Sequence, residues 1–527
     1  MDKHKLLIYL KLNYQTKRIN LSAMSLNYKL LLIAFAGTIG LTSCGLFGGG
    51  GGSNESSSTG WSYNSPEEGG FQVVTDYQPK TGPGLVFIEG GTFIMGRVEQ
   101  DLMYDWNSVP RRVTVASFYM DETEVRNVDW REYLYWLKRV YVDYPRVYKN
   151  ALPDTLVWRS PLGFNDPYVN NYLRHPAYND YPVVGVNWLQ ANDYCLWRTD
   201  RVNEKMLVDI GHLALELNQK NEDNFNTDAY LLGQYTGTVI ENKPSLDPNN
   251  PEGTRYTFED GILYPKYRLP TEAEWEFAAL GLIGNTYEER MVERKIYPWN
   301  GHNVRNASVK NRGEMLANFV RGRGDYMGTA GNLNDNAPIP NAVKSYWPND
   351  YGLYCMAGNV NEWVLDVYRP LSFEDVDEFR PFRGNIFKQL KLNDDGTVSR
   401  KDSLGRMIYR DVTEEESANR RNYNKAYYVN YKDGDITSSH EYDPNAEGSK
   451  ENNSNKVYYQ GKTDGKNTDM STLINDNVRV YKGGSWKDRA YWLSPGTRRF
   501  LDEASSTDDI GFRCAMEAVG AQQADKR

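Results

Sequence analysis

Residues 268–279 read RLPTEAEWEFAA, and the middle of the fold is written there. Thr271 is followed three residues later by Glu274. This is a capping box, in which the hydroxyl accepts from the helix N-terminus and the carboxylate reaches back to the cap. Trp275 then shares a face with Ala278 or Ala279, so a short helix is predicted with an apolar side. Upstream, PVVGVNWLQANDYCLWRTDR (182–201) repeats the device, with Asn187 as the cap and Gln190 at the third helical position. Trp130, Tyr133, Leu134 and Leu137 recur at helical spacing over 128–139. They follow VTVASFYMDETEV (113–125), which reads as a strand. GLVFIEGGTFIMG (84–96) alternates around paired glycines, as two short strands joined by a turn do.

The chain has 527 residues, enough for one large domain or two ordinary ones. Hydrophobic residues make up 40%, sufficient for a core, and 39 Tyr and 13 Trp suit an irregular core or a wet interface. A formal net charge of -9 gives no reason for broad affinity to nucleic acid or anionic membranes. Only 5 His occur, with His4 and His440 in segments outside any predicted core. No HExxH or HxxxH pair is present, which argues against a histidine-based metalloenzyme. Residues 202–262 and 371–475 are polar with few apolar repeats, and read as insertions on the domain surface. Long insertions cost little in closure entropy and often carry partner-binding residues.

Residues 30–41, LLLIAFAGTIGL, follow Lys29 and suit the apolar core of a signal peptide, being too short to span a bilayer comfortably. Leu41-Thr42-Ser43-Cys44-Gly45 comes directly after and resembles the bacterial lipobox. Residues 1–43 are thus predicted to be a signal peptide, or residues 24–43 if translation begins at Met24, with lipid on Cys44. Residues 44–60 are Gly/Ser-rich, the composition of a flexible tether. An N-terminal extension (61–83), a main domain (84–519) and a tail (520–527) complete the predicted organisation. No acidic residue follows Cys44 until Glu55, which favours the periplasmic face of an outer membrane.

FIEGGTFIMG (87–96), FYMDETEV (118–125), PVVGVNW (182–188), RLPTEAEWEFAA (268–279), YPWNG (297–301), ANF (317–319), YGLYCMAGNVNEW (351–363), RVYKGGSW (479–486) and IGFRCA (510–515) occur in this order. The chain thereby resembles the formylglycine-generating, sulfatase-modifying family. The resemblance implies an α+β domain related to the C-type lectins, with limited regular secondary structure and the two insertions on it. TGWSYNSPEEGGF (59–71), MDETEVRNVDWREYLYWLK (120–138), LPDTLVWR (152–159) and NNYLRHPAY (170–178) are similar to one branch, the gliding-motility lipoproteins of the Bacteroidetes.

Active members of the family bind copper through two cysteines about ten residues after GGS. Here the corresponding stretch, Trp492 to Arg499, contains no thiol, so the resemblance implies a non-catalytic chain without copper. Arg498 and Arg499 can bind a carboxylate there or serve structural ion pairs. Cys195 and Cys514 match family positions that pair as a structural disulfide, which an oxidising compartment permits. Cys355 is left over and is expected to be buried. Two family Ca²⁺ sites carry over. The first comprises Asn318, the Phe319 carbonyl, Asp335 and the Ala337 carbonyl. The second comprises the Gly358 and Val360 carbonyls and Glu362, and it is weakened because Cys355 stands where an oxygen ligand is usual.

The function expected is that of a structural or assembly component of the gliding and type IX secretion machinery, anchored in the outer membrane by lipid, with partners such as GldK and GldN. An alternative is a glycan- or peptide-binding lectin-like module, with Trp486, Tyr491 and Trp492 lining the old substrate cleft. A copper-dependent formylglycine-generating oxidase is a third reading.

Overall fold

The computed structural model describes residues 55–98, 101–321, 337–368, 378–412 and 477–520, apart from 75–76, 102, 104–105, 248, 250–252, 293, 380, 383 and 385–387. Cys44, the predicted signal peptide, Asp335 and most of the second insertion lie outside the described residues. The chain divides into two compact units, residues 1–75 and 76–527. In the first, the bridge between Glu55 and Ser62 closes a turn, and Tyr63 meets Phe71 edge-on at 5.7 Å. The segment predicted as a tether to residue 60 therefore already holds a turn at its end.

The second unit contains two four-stranded sheets. In the first, the strand order is β1 (Leu85–Ile88), β4 (Phe118–Asp121), β12 (Ala515–Glu517) and β5 (Tyr267–Arg268), all antiparallel. In the second it is β10 (Arg499–Asp502), β9 (Val478–Lys482), β6 (Asn361–Val367) and β11 (Ile510–Gly511), the last pair parallel. Two hairpin pairs stand apart, β2 (Gly91–Met95) with β3 (Arg111–Val115) and β7 (Lys388–Leu390) with β8 (Tyr409–Asp411). The chain thus closes on itself, since β12 from the C-terminal end sits beside β4 from the start.

Three longer helices pack on these sheets: α1 (Asn127–Val140), α2 (Trp188–Asp209) and α3 (Glu272–Leu280). The predicted caps form. Asn187 Oδ1 accepts from Gln190 N at 2.8 Å, and Thr271 Oγ1 accepts from Glu274 N at 3.2 Å. Trp130, Tyr133, Leu134 and Leu137 of α1 turn inward, and the Trp130 ring stacks on Tyr194 of α2 at 5.4 Å. All nine residues of α3 are buried, including three glutamates. A buried carboxylate is costly unless paired, and each has a cation. Glu274 meets Arg268 at 2.7 Å, Glu276 meets Lys482 at 2.9 Å, and Glu272 meets Arg498 at 2.6 Å.

Residues 84–96 form two strands on either side of Gly90, as the sequence reading has it, and the two belong to different sheets. A Cβ on Gly90 would lie 2.3 Å from the Val115 carbonyl oxygen, so this glycine permits a close crossing of the chain. The first insertion is more ordered than its polarity suggested. Helix α2 runs on to Asp209, and Leu207, Leu213, Phe225, Tyr230, Tyr235 and Leu263 form a small core of their own. Among the described residues, no helix is long and apolar enough to cross a membrane.

Candidate functional site

The segment after β9 begins GGSW. Gly483 and Gly484 have φ of 101° and 74°, and a Cβ on Gly484 would approach the Trp492 carbonyl oxygen to 2.8 Å. The segment therefore folds back on itself, and polar side chains close it. Ser485 Oγ donates to Asp488 Oδ2 at 2.7 Å. Arg499 donates from Nη1 to Asp488 Oδ1 and from Nη2 to Asp488 Oδ2, both at 2.7 Å. Burial pushes the Asp488 carboxyl upward, but the bonds and charge of Arg499 prevail and hold it below the usual range. Arg498 grips Glu272 through Nε at 2.6 Å and Nη2 at 2.9 Å. Both arginines thus serve internal ion pairs, the structural role left open by the sequence.

Copper does not fit this segment. Between Trp492 and Arg499 the side chains supply no thiol, and Leu493 is fully buried in an apolar cluster. Soft thiolates are what Cu(I) requires. The aromatic residues expected to line the cleft are engaged elsewhere. Trp486 stacks near Trp158 at 6.1 Å and donates from Nε1 to the Asp508 carbonyl at 3.2 Å. Trp492 carries the Arg499 guanidinium over its face at 4.5 Å and meets Tyr491 edge-on at 4.9 Å.

The two loops predicted to hold Ca²⁺ lie against each other. Asn359 N donates to the Asn318 carbonyl at 2.9 Å, and a Cβ on Gly358 would meet that same oxygen at 2.4 Å. At the first site Asn318 is buried, and its Nδ2 donates to the Ile339 carbonyl at 3.0 Å. Its Oδ1 is buried with no hydrogen-bond partner. An orphaned buried oxygen is costly, and a hard cation is the partner that would satisfy it. Phe319 is buried beside it and Ala337 is half-buried, while Asp335 lies outside the described residues.

At the second site the carboxylate is paired with an arginine. Glu362 Oε1 accepts from Arg513 Nη2 at 2.6 Å, and its Oε2 accepts from Arg513 Nε and Trp275 Nε1, both at 2.7 Å. Three of roughly four lone-pair positions are taken. Val360 is buried and Gly358 has φ 76°, but Cys355 directs its thiol at the Val343 carbonyl at 3.4 Å. Glu362 is the counter-ion of Arg513, and one lone-pair position is left for any further ligand. Cys355 is buried, as expected, and burial pushes its thiol well above the ordinary range.

Two groups in this region escaped the sequence reading. Glu124 is fully buried and accepts from Asn359 Nδ2 at 3.0 Å and 3.2 Å. Burial, then the nearby Glu362 charge, push its carboxyl well above the ordinary range. Arg513 completes the cluster, with bonds to the carbonyls of Asp121 and Tyr354. Both residues sit inside quoted motifs, FYMDETEV and IGFRCA, but contacts so distant in sequence leave no local pattern.

Cys195 on α2 and Cys514 before β12 are brought together, sulfur to sulfur at 3.4 Å. Both are buried thiols here, so the implied disulfide is placed but not closed. Disulfide sulfurs sit at about 2.05 Å. Arg198 and Asp121 support the pair: Asp121 Oδ2 accepts from Cys514 N at 2.9 Å and from Arg198 Nη1 at 2.7 Å.

Among the described residues, no group of three or more His, Cys, Asp or Glu is placed to hold a metal ion. A mixed α+β domain, two small sheets with buried helices and long loops, carries these sites. The chain belongs to the sulfatase-modifying factor enzyme 1-like domain family, which matches residues 71–518. It is 24% identical to the formylglycine-generating enzyme of Mus musculus over 302 residues, covering 54% of this chain and 58% of that one. To the formylglycine-generating enzyme of Streptomyces coelicolor it is 34% identical over 145 residues, 26% of this chain and 40% of that one. To the inactive C-alpha-formylglycine-generating enzyme 2 of Mus musculus it is 25% identical over 325 residues, 57% of this chain and 73% of that one. The chain thus spans less than two thirds of the two formylglycine-generating enzymes. Among solved structures, PvdO from Pseudomonas aeruginosa aligns with 84% of this chain and 100% of its own, at 13% identity and a TM-score of 0.40.

Proposed function

We propose that this chain is a non-catalytic member of its family that works as a lipid-anchored structural component. The observation that carries the proposal is the rebuilt segment after GGSW. Where the active family holds its copper thiols, this chain has apolar packing and two arginines committed to Glu272 and Asp488. An inactive relative in Mus musculus supports the existence of such members.

The finer reading rests on sequence resemblance. The lipobox at Cys44 and the branch motifs at 59–71, 120–138, 152–159 and 170–178 resemble the gliding-motility lipoprotein GldJ. On this proposal lipid on Cys44 anchors the chain in the outer membrane, facing the periplasm. It assembles there with GldK, GldN and other components of gliding and type IX secretion. The ordered first insertion offers surface for such contacts. A structural Ca²⁺ at Asn318, Phe319, Asp335 and Ala337 would stiffen the loop that carries them, and no copper is required.

The test is in two parts. The tagged lipoprotein is isolated from membranes in mild detergent, and co-purifying proteins are identified by mass spectrometry. Secretion or gliding components are expected; recovery of the chain alone from well-solubilised membranes would overturn the assembly role. In parallel, copper reconstitution followed by incubation with a thiol peptide should give no aldehyde. Aldehyde formation would overturn the non-catalytic reading.

A further inference from the structure

A cavity of about 390 Å³ opens beside α1 and α2, away from the GGSW segment and the calcium loops. Tyr133, Trp136 and Tyr141 line one side and Trp197 another. Residues from both insertions complete it, among them Asn224, Asn226 and Asp228 from the first and Lys388, Arg406 and Tyr409 from the second. The size and the aromatic walls with a few polar groups are those of a small-ligand site.

The two carboxylates that line the cavity are partnered, while Lys388, at an exposed position, forms no ion pair among the described residues. Asp228 Oδ2 accepts from Lys266 Nζ at 2.8 Å and from the Tyr409 hydroxyl at 2.9 Å. Asp200 accepts from Thr227 N at 2.8 Å and Asn226 Nδ2 at 3.0 Å. Arg406 differs. Its backbone N–H donates to Asp402 Oδ1 at 2.8 Å, and its guanidinium meets the Tyr141 hydroxyl. Among the described residues it forms no ion pair. Asp193 on α2 is its acidic neighbour, with no hydrogen bond or ion pair between them. A guanidinium presents five donors in a fork that matches a carboxylate. Asp200 and Asp228 on the cavity wall are already held by other donors, so the Arg406 guanidinium is left with donors to offer an incoming anion.

We infer that this cavity binds an apolar chain ending in a carboxylate, with Arg406 taking the carboxylate and the Tyr133, Trp136 and Trp197 rings taking the apolar body. The C-terminal residue of a peptide and a free aromatic acid share this chemistry. The Trp136 ring already carries the Arg201 guanidinium at 4.3 Å on its π-system, which fixes its orientation. The inference stands apart from the anchoring proposal, because it uses neither Cys44 nor the GGSW segment.

The test is calorimetric titration of the full chain with N-acetyl-phenylalanine, its C-terminal amide, and a pentapeptide ending in phenylalanine with a free carboxylate. The acids are expected to saturate, and the amide to bind at least about tenfold more weakly, as loss of one charge-assisted contact predicts. Arg406→Gln is expected to bring the acid down to the level of the amide. A peptide that binds more tightly than the acetylated residue identifies a chain terminus as the ligand; equal affinity identifies the free acid. No binding by either acid, or equal binding of acid and amide, would overturn the inference. That comparison uses the unaltered chain, so it does not depend on how the variant folds.

Discussion

Arg513 holds Glu362 in a two-pronged grip, Nη2 to Oε1 at 2.6 Å and Nε to Oε2 at 2.7 Å, with both side chains out of reach of solvent. This pair joins β6 to the segment leading into β12, so it ties the two four-stranded sheets together. Removing one partner leaves the other charge buried and uncompensated. Glu362→Gln should therefore destabilise the fold by about 3–5 kcal/mol. Denaturant unfolding of the variant and the parent checks this. A loss under about 1 kcal/mol, the scale of an exposed pair, would mean that the pair is wetter than its burial indicates.

Glu124 makes stability depend on pH in the opposite sense from an ordinary salt-bridged carboxylate. Burial and the Glu362 charge raise its folded-state affinity for a proton above that of the unfolded chain. Its contribution is complete below the ordinary carboxylate range and is lost as pH rises through the raised folded value. Glu124→Gln should remove that loss, so the variant should lose less stability than the parent between acidic and mildly alkaline pH. Unfolding midpoints of both proteins across that interval provide the check. Parallel pH profiles would show that Glu124 does not titrate there.

Cys195 and Cys514 are positioned for oxidation. Their sulfurs lie 3.4 Å apart in the core, 319 residues apart in sequence. Refolding in an oxidising buffer should yield a bond between them, while Cys355 stays reduced among Val343 and Glu124. Closing so long a loop could add up to about 5 kcal/mol in the chain-entropy model. A peptide map under non-reducing conditions identifies the pairing, and thermal melts with and without reductant measure its effect. Recovery of both thiols unmodified after oxidative refolding would sink the prediction.

The local signals in the sequence held where local physics decides. Asn187 and Thr271 cap their helices because the cap and its third residue are close neighbours, so the pattern can be read directly. Gly90-Gly91 marks the junction of two strands in the sequence, but a tight turn and a close crossing both select glycine, and only the position of Val115 shows that the strands part into different sheets. The core of the first insertion was hidden because Leu207, Leu213, Phe225, Tyr230 and Leu263 are spaced without a helical or strand period. The ion pairs of α3 were equally invisible, since Arg498 and Lys482 lie more than 200 residues from Glu272.

Asn318 allows the calcium proposal to be tested separately from partner binding. Its Nδ2 is satisfied by Ile339, but its Oδ1 is buried without a partner. A cation that binds only the folded chain stabilises it by about 2.7 kcal/mol at a concentration one hundred times Kd. The parent should therefore melt at a higher temperature in millimolar Ca²⁺ than in chelator. Asn318→Ala should shrink that difference, whatever its baseline, because it removes a side-chain oxygen and leaves Asp335 with the Phe319 and Ala337 carbonyls. The difference between the two melts is the informative quantity, since Asn318 also donates a structural hydrogen bond and its loss lowers the baseline alone. Identical melting of the parent in Ca²⁺ and in chelator would remove calcium from this loop and leave the Asn318 oxygen as a local cost of folding.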